Sequence, residues 1–262
     1  MAGWKACPTL EAVPMKFAEL TAPLLRQVRR DACVVLAPIA ACEQHSRHLP
    51  TITDTVLVTA VADGAEAELP EQVLQLPTLW LGASHHHLRF GGTLSANVDT
   101  HVDILHDLIE PLLEDGYLRV LILNGHGGNV DTMQMALRLL QPHYSQRILS
   151  AASYWDLASA ELAALAEGPR KNMGHACEFE TSMMLALRPE LVRREQIADD
   201  PPRDDRALRG LFLADDMLQK TDHGAVGYPQ LATAEKGRAF LKAAVGRTVE
   251  VVRALLARPV PQ

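Results

Sequence analysis

Apolar residues along the chain follow two alternating patterns. Short unbroken runs at 32–39 (ACVVLAPI), 73–76, 120–123 (VLIL) and 148–152 read as strands buried on both faces. Between them the apolar positions fall at helical spacing. Helices are expected at 55–69, at 99–115, from about 131 to 140, at 157–166 and at 178–187, the last stopped by Pro189. In the second of these Val102, Leu105, Ile109, Leu112 and Leu113 share one face. A long helix is expected over 234–256, whereas 199–230, rich in Asp, Pro and Gly, is the least regular stretch. Strands alternating with helices imply parallel βαβ units with right-handed crossovers. The expected fold class is α/β: one three-layer domain over residues 1–262 around a mostly parallel sheet.

Composition narrows the class of partner. A chain of 262 residues, 48% of them apolar, has enough material for one large core. Its net charge of -7 speaks against a general nucleic-acid binder, which would carry a basic face. Cys7, Cys33, Cys42 and Cys177 are scattered, with no CxxC pair, which suits free thiols in a reducing compartment. The first residues lack the apolar core of a signal peptide, and no run reaches the ~18 apolar residues of a membrane span. The expectation is a cytoplasmic protein acting on a small molecule, away from membranes and nucleic acid.

In open parallel sheets ligands bind beyond the carboxyl ends of the strands, and two such ends here carry metal-binding residue types. Glu43-Gln44-His45 follows the first strand, with Asp54 at the mouth of the next helix. In an extended segment Glu43 and His45 face the same way, and a carboxylate at 54 suits a helix N-terminus. Asn124 to Asn129 (NGHGGN) follows the VLIL strand, with His126 inside a glycine-rich turn. A third cluster, Gly174 to Glu180 (GHACEFE), places His175 and Glu178 three apart at a helix start. Each alone has a plainer reading: a solvated loop, a tight turn, or a cap beside a surface carboxylate. Their conjunction in one parallel-sheet domain points to a metal site, with mixed N/O donors that suit zinc or manganese. No GK[ST] ending, GxSxG elbow or GxGxxG turn supports another chemistry. Three consecutive histidines, His85 to His87, cannot all face one point of an extended strand, so His85 and His87 are the expected substrate contacts; the alternative is a polar loop at a subunit contact. Trp155, just after the fourth strand, is expected either to wall the pocket or to pack in the core.

These segments resemble the creatininase (creatinine amidohydrolase) family. Glu43-Gln44-His45, His48-Leu49-Pro50 and Asp54 resemble its EQHGxHLPxxTD signature; Asn124 to Asn129 has the NGHGGN form of many members. His175 to Thr181, Gly227-Tyr228-Pro229 and Ala232 to Gly237 follow in the family's order, so the similarity runs from about Cys33 to Gly237. The resemblance implies an α/β/α sandwich, assembled as a homo-oligomer (a hexamer), with two divalent ions. By position, Glu43 and His126 would hold one ion, His45 the other, and Asp54 both. Gly128 stands where creatininase has a further glutamate ligand, and Glu178 is the expected replacement. His175 matches the family's catalytic histidine.

The resemblance also carries the expected reaction: hydrolysis of a non-peptide or cyclic amide C–N bond by a metal-activated bridging water, with His175 as general acid/base. Ser46-Arg47 replaces the usual Gly-x, Gly91-Gly92 replaces Pro-Gly, and Gly127, at a substrate-binding position, replaces a tyrosine that cradles creatinine. These departures argue against creatinine as substrate. The family also contains a formamide-removing enzyme, a peptidase and hydrolases of oxidised inositol. The alternatives are therefore hydrolysis of a cyclic diketone derived from an inositol, or a non-catalytic binding protein on the same scaffold.

Overall fold

Four strands, β1 (Val34–Ile39), β2 (Val73–Gln75), β3 (Arg119–Asn124) and β4 (Ile148–Ser153), form one parallel sheet in the order β2-β1-β3-β4. The computed structural model describes residues 15–201, 203 and 211–261; Cys7 lies outside the described residues. Every side chain of β1 and β3 is buried, which is why these segments appear in the sequence as apolar runs without alternation.

Nine α-helices accompany the sheet among the described residues. They are α1 (Ala22–Leu25), α2 (Thr53–Glu68), α3 (Val98–Glu114), α4 (Val130–Leu140), α5 (Tyr154–Leu157), α6 (Ser159–Leu165), α7 (Glu178–Leu187), α8 (Met217–Lys220) and α9 (Ala234–Ala257). Successive side chains of β1 point to opposite faces. Val34 and Leu36 pack with Leu57 and Val61 of α2, Phe179 and Met183 of α7, and Phe240 and Ala244 of α9. Val35, Ala37 and Ile39 pack with Val102, Leu105 and Ile109 of α3 and Met133 of α4. The result is a helical layer on each face of a parallel sheet.

One expected helix is broken. The stretch 157–166 divides into α5 and α6, because Ala158 leaves helical geometry (φ -102°, ψ 19°). Ala158 is fully buried, so the break is set by packing, which an alanine-rich sequence does not show. No helix among the described residues is long and apolar enough to cross a membrane.

The strand order positions the site. From β1 the chain crosses first to β2 on one side and then to β3 on the other, so the two connections part at β1 and β3. These strands run in register up to the pair Ile39 and Asn124, and their carboxyl ends open side by side into a crevice.

Close helix packing supports that end of the molecule. At Gly237 of α9 an added Cβ would overlap the carbonyl of Ser182 in α7 and lie 2.8 Å from the Met183 nitrogen. Backbone on both sides cannot yield as a side chain does, so Gly237→Ala should destabilise the protein by about 3 kcal/mol. Gly246→Ala, in the same helix with nothing within 4 Å, should instead stabilise it by about 0.5–1 kcal/mol. Equal shifts of the two urea midpoints would contradict this account of the α7–α9 contact.

Candidate metal centre

Beyond β1 the chain carries Glu43 and His45 inward; both are buried, at 1% and 0% exposure. Asp54 approaches from the first turn of α2, and His126 from the turn after β3. His126 Nδ1 lies 3.1 Å from Glu43 Oε1 and 3.2 Å from Asp54 Oδ2. His45 Nε2 lies 2.9 Å from Asp54 Oδ1 and 3.8 Å from Glu180 Oε1. His175 Nδ1 stands 3.6 Å from Glu43 Oε1, and His87 Nε2 3.3 Å from the same oxygen. A cavity of about 250 Å³ opens onto Glu43, Asp54, His126, His175 and Glu180, with Gly127 and Trp155 in its wall.

The hydrogen bonds around this cluster set which nitrogen of each ring faces inward. His45 donates from Nδ1 to the Glu43 carbonyl at 3.0 Å, leaving Nε2 toward the carboxylates. His126 donates from Nε2 to the Ala83 carbonyl at 3.3 Å, leaving Nδ1 toward Glu43 and Asp54. His175 donates from Nε2 to the Gln44 carbonyl at 2.8 Å, so its Nδ1 is a free acceptor. The Gln44 amide accepts from the Ser46 nitrogen and donates to Gly224 O, which fixes its orientation. It then donates to His87 Nδ1 at 2.8 Å, so His87 carries its proton on the side of Glu43. In metal sites an imidazole is held in this way, its outer N–H on a carbonyl and its inner lone pair on the ion.

The inward atoms are left without partners. Both oxygens of Glu43, Asp54 Oδ2 and His45 Nε2 are buried and make no hydrogen bond among the described residues. His45 and Asp54 sit close without aligning a hydrogen bond: their donor atoms converge on common space. Glu43, His45 and Asp54 form one group of mutually close donors, and His45, His175 and Glu180 another. Buried polar atoms are almost always satisfied, so this donor set fits divalent cations. Electrostatics agrees. Burial would lower the His126 pKa, but Glu43 and Asp54 raise it to about 10. Burial also opposes charge on His45, yet Asp54 and then Glu180 hold its pKa well above the ordinary value. Conversely burial, followed by the charge on His45, pushes His175 down to about 3, so it is a neutral base at pH 7.

The two asparagines of the turn after β3 tie the strand ends together. Asn124 accepts from the His126 nitrogen at 3.0 Å and donates to Ser153 Oγ at the end of β4. Asn129 donates to Ala40 O at the end of β1 and accepts from the Ala83 nitrogen, fixing the histidine-bearing segment. Ser46, at φ 57°, sits in the left-handed region, which explains a glycine preference at this position. Gly91, at φ 76°, takes a backbone that a proline ring, locked near -65°, cannot adopt.

Two sequence expectations are corrected. Glu178 does not reach the cluster. Its carboxylate pairs with Lys236 of α9 at 2.8 Å and accepts from the nitrogens of Glu167 and Gly168. Glu178 and Glu180 are about 200° apart around the helix, so only one can face the site, and it is Glu180. The second correction is His85. Residues 85–90 form a 3-10 helix, not an extended segment, so alternation does not apply. His85 is exposed and bonds Ser95 and Asn97, while the adjacent His86 and His87 both face Glu43. Glu180 and His86 were not singled out from the sequence; a partner for Glu178, which would have excluded it, lies 58 residues away at Lys236.

Comparison with known proteins follows the same lines. The profile of the creatininase (creatinine amidohydrolase) family matches residues 18–252. Creatinine amidohydrolase of Pseudomonas putida is 29% identical over 241 residues, spanning 87% of this chain and 91% of that protein. Mycofactocin precursor peptide peptidase of Mycobacterium tuberculosis is 29% identical over 255 residues, spanning 92% and 93%. 3-Dehydro-scyllo-inosose hydrolase of Thermotoga maritima is 24% identical over 263 residues, spanning 92% and 84%. Among solved structures, a creatininase with Mn superposes with a TM-score of 0.78 at 28% identity, covering 92% of this chain and 98% of that one. A mutant creatininase of the Zn–Zn type gives the same TM-score, identity and coverage. The parallel sheet with its two helical layers, the cluster at its switch point and the span of the profile lead to one assignment: this chain belongs to the creatininase family of hydrolases.

Proposed function

We propose that the chain is a metal-dependent amidohydrolase of a small, non-peptide or cyclic amide, with Glu43, Asp54 and His126 holding one divalent ion and His45, Asp54 and Glu180 a second. The observation that carries this reading is the set of buried, unpartnered donor atoms on Glu43, Asp54 and His45, facing a small cavity. Bound zinc or manganese would polarise a substrate carbonyl and acidify a water. The chain itself supplies orientation and proton transfer. His175, anchored by Gln44 O, offers Nδ1 as the base that takes a proton and returns it to the leaving nitrogen. Trp155 and Gly127 bound the cavity, whose roughly 250 Å³ suits a small molecule better than a peptide chain. A screen of the metal-loaded protein against cyclic amides, short peptides and oxidised inositols tests the substrate class. Turnover confined to the inositols or the peptides would overturn it.

Three outcomes test the residue roles. Asp54→Ala should lose metal as well as rate, because two ions would share this carboxylate; full occupancy by elemental analysis would contradict the assignment. His175→Ala should slow turnover about 10²–10⁴-fold with metal content unchanged. Undiminished activity there would remove it from the proton path. Glu180→Gln should lower metal content, whereas Glu178→Gln should keep the metal and weaken the α7–α9 contact through Lys236, seen as a lower melting temperature. Metal loss from Glu178→Gln alone would reverse that correction.

A further inference from the structure

Five histidines surround Glu43 and Asp54, and four have a ring nitrogen committed to a hydrogen bond: His45, His87, His126 and His175. His86 is the exception. Among the described residues no hydrogen bond or ion pair engages its ring. It lies over His126, the rings 14° from parallel with centroids 5.7 Å apart, and its centroid is 4.3 Å from that of His87. Glu43, His86 and His126 each offer a donor atom, all within 4.8 Å of one another, and both Glu43 oxygens are buried without partners.

We propose that His86 is a further metal ligand, adding a nitrogen donor to the ion held by Glu43 and His126. The inference rests on the metal reading of those two residues. Two local features place the ring there. In the 3-10 helix of residues 85–90 successive side chains turn by about 120°, so His85 goes to Ser95 and Asn97, His86 over His126, and His87 to Gln44 and Glu43. Gly128 leaves the space open. A Cβ at that position would overlap the Ala83 carbonyl and come within 2.5 Å of His126 Nε2 and 2.8 Å of His86 Cε1. A side chain at 128 and the His86 ring therefore exclude each other. His86 is half-buried on a short turn, unlike the buried His45 and His126, so it would be the most accessible nitrogen donor of that ion.

The test uses the full chain stripped with a chelator and titrated with Co²⁺, followed by its visible d–d absorption and by equilibrium dialysis. Wild type should bind with one ion in a site that includes His86. His86→Ala and His86→Asn should each weaken that ion about 10- to 100-fold and shift the Co²⁺ absorption, with the circular dichroism spectrum unchanged. His85→Ala, on the same turn, should bind as wild type does. Unchanged affinity and absorption in both His86 variants would overturn the proposal. Unchanged Co²⁺ binding in Glu43→Gln would instead overturn the underlying metal reading, whatever the His86 variants do.

Discussion

Buried negative charge is the constraint around which this end of the molecule is organised. Glu43, Asp54 and Glu180 are all at or below 4% exposure and converge on His45 and His126. Taking a carboxylate out of water costs several kcal/mol unless an opposite charge and hydrogen bonds replace the solvent. Three together demand cationic charge in the same space. The carboxylate field that raises the pKa of His126 and His45 is the field that favours a divalent ion bound to the same nitrogens.

The surrounding polar residues make sense as a frame for that charge. Gln44 alone orients two imidazoles, His175 through its backbone carbonyl and His87 through its side-chain amide, so the base and the neighbour of Glu43 are set by one residue. Asn124 and Asn129 join the ends of β1, β3 and β4 to the segment bearing His86 and His87. Glu178 serves the scaffold instead. Its ion pair with Lys236 joins α7 to α9, where Gly237 lets the two backbones approach. Two acids two residues apart on one helix thus hold opposite faces of the same structure, one the site and one the support behind it.

Much of this was legible in the chain. The four strands and the long helices follow from unbroken apolar runs and helical spacing, because burial on both faces fills β1 and the middle of β3 with apolar side chains. The convergence of Glu43, His45, Asp54 and His126 was legible too, since each lies at the carboxyl end of a strand or the start of the following helix. What misled was local geometry. Residues 85–87 lie in a 3-10 turn, where the alternation of an extended strand does not hold, and α7 begins only at Glu178 itself, so helical spacing does not reach back to His175. His175 precedes the helix in extended pairing with Val226, so no i to i+3 relation holds.

The amino-acid order by itself determined the layers, the parallel sheet and the presence of metal-type donors at its switch point, because these depend on periodicity and on position along each element. Only the tertiary structure decided which donors meet. Lys236, distant in the chain, claims Glu178 and leaves Glu180 to face His45. Gly128 and the turn at 85–90 bring His86 over His126. Ala158 breaks a helix that its composition would continue. In each case the deciding contact joins residues or packing surfaces that local sequence does not place together, and a side chain's direction is settled by its partner.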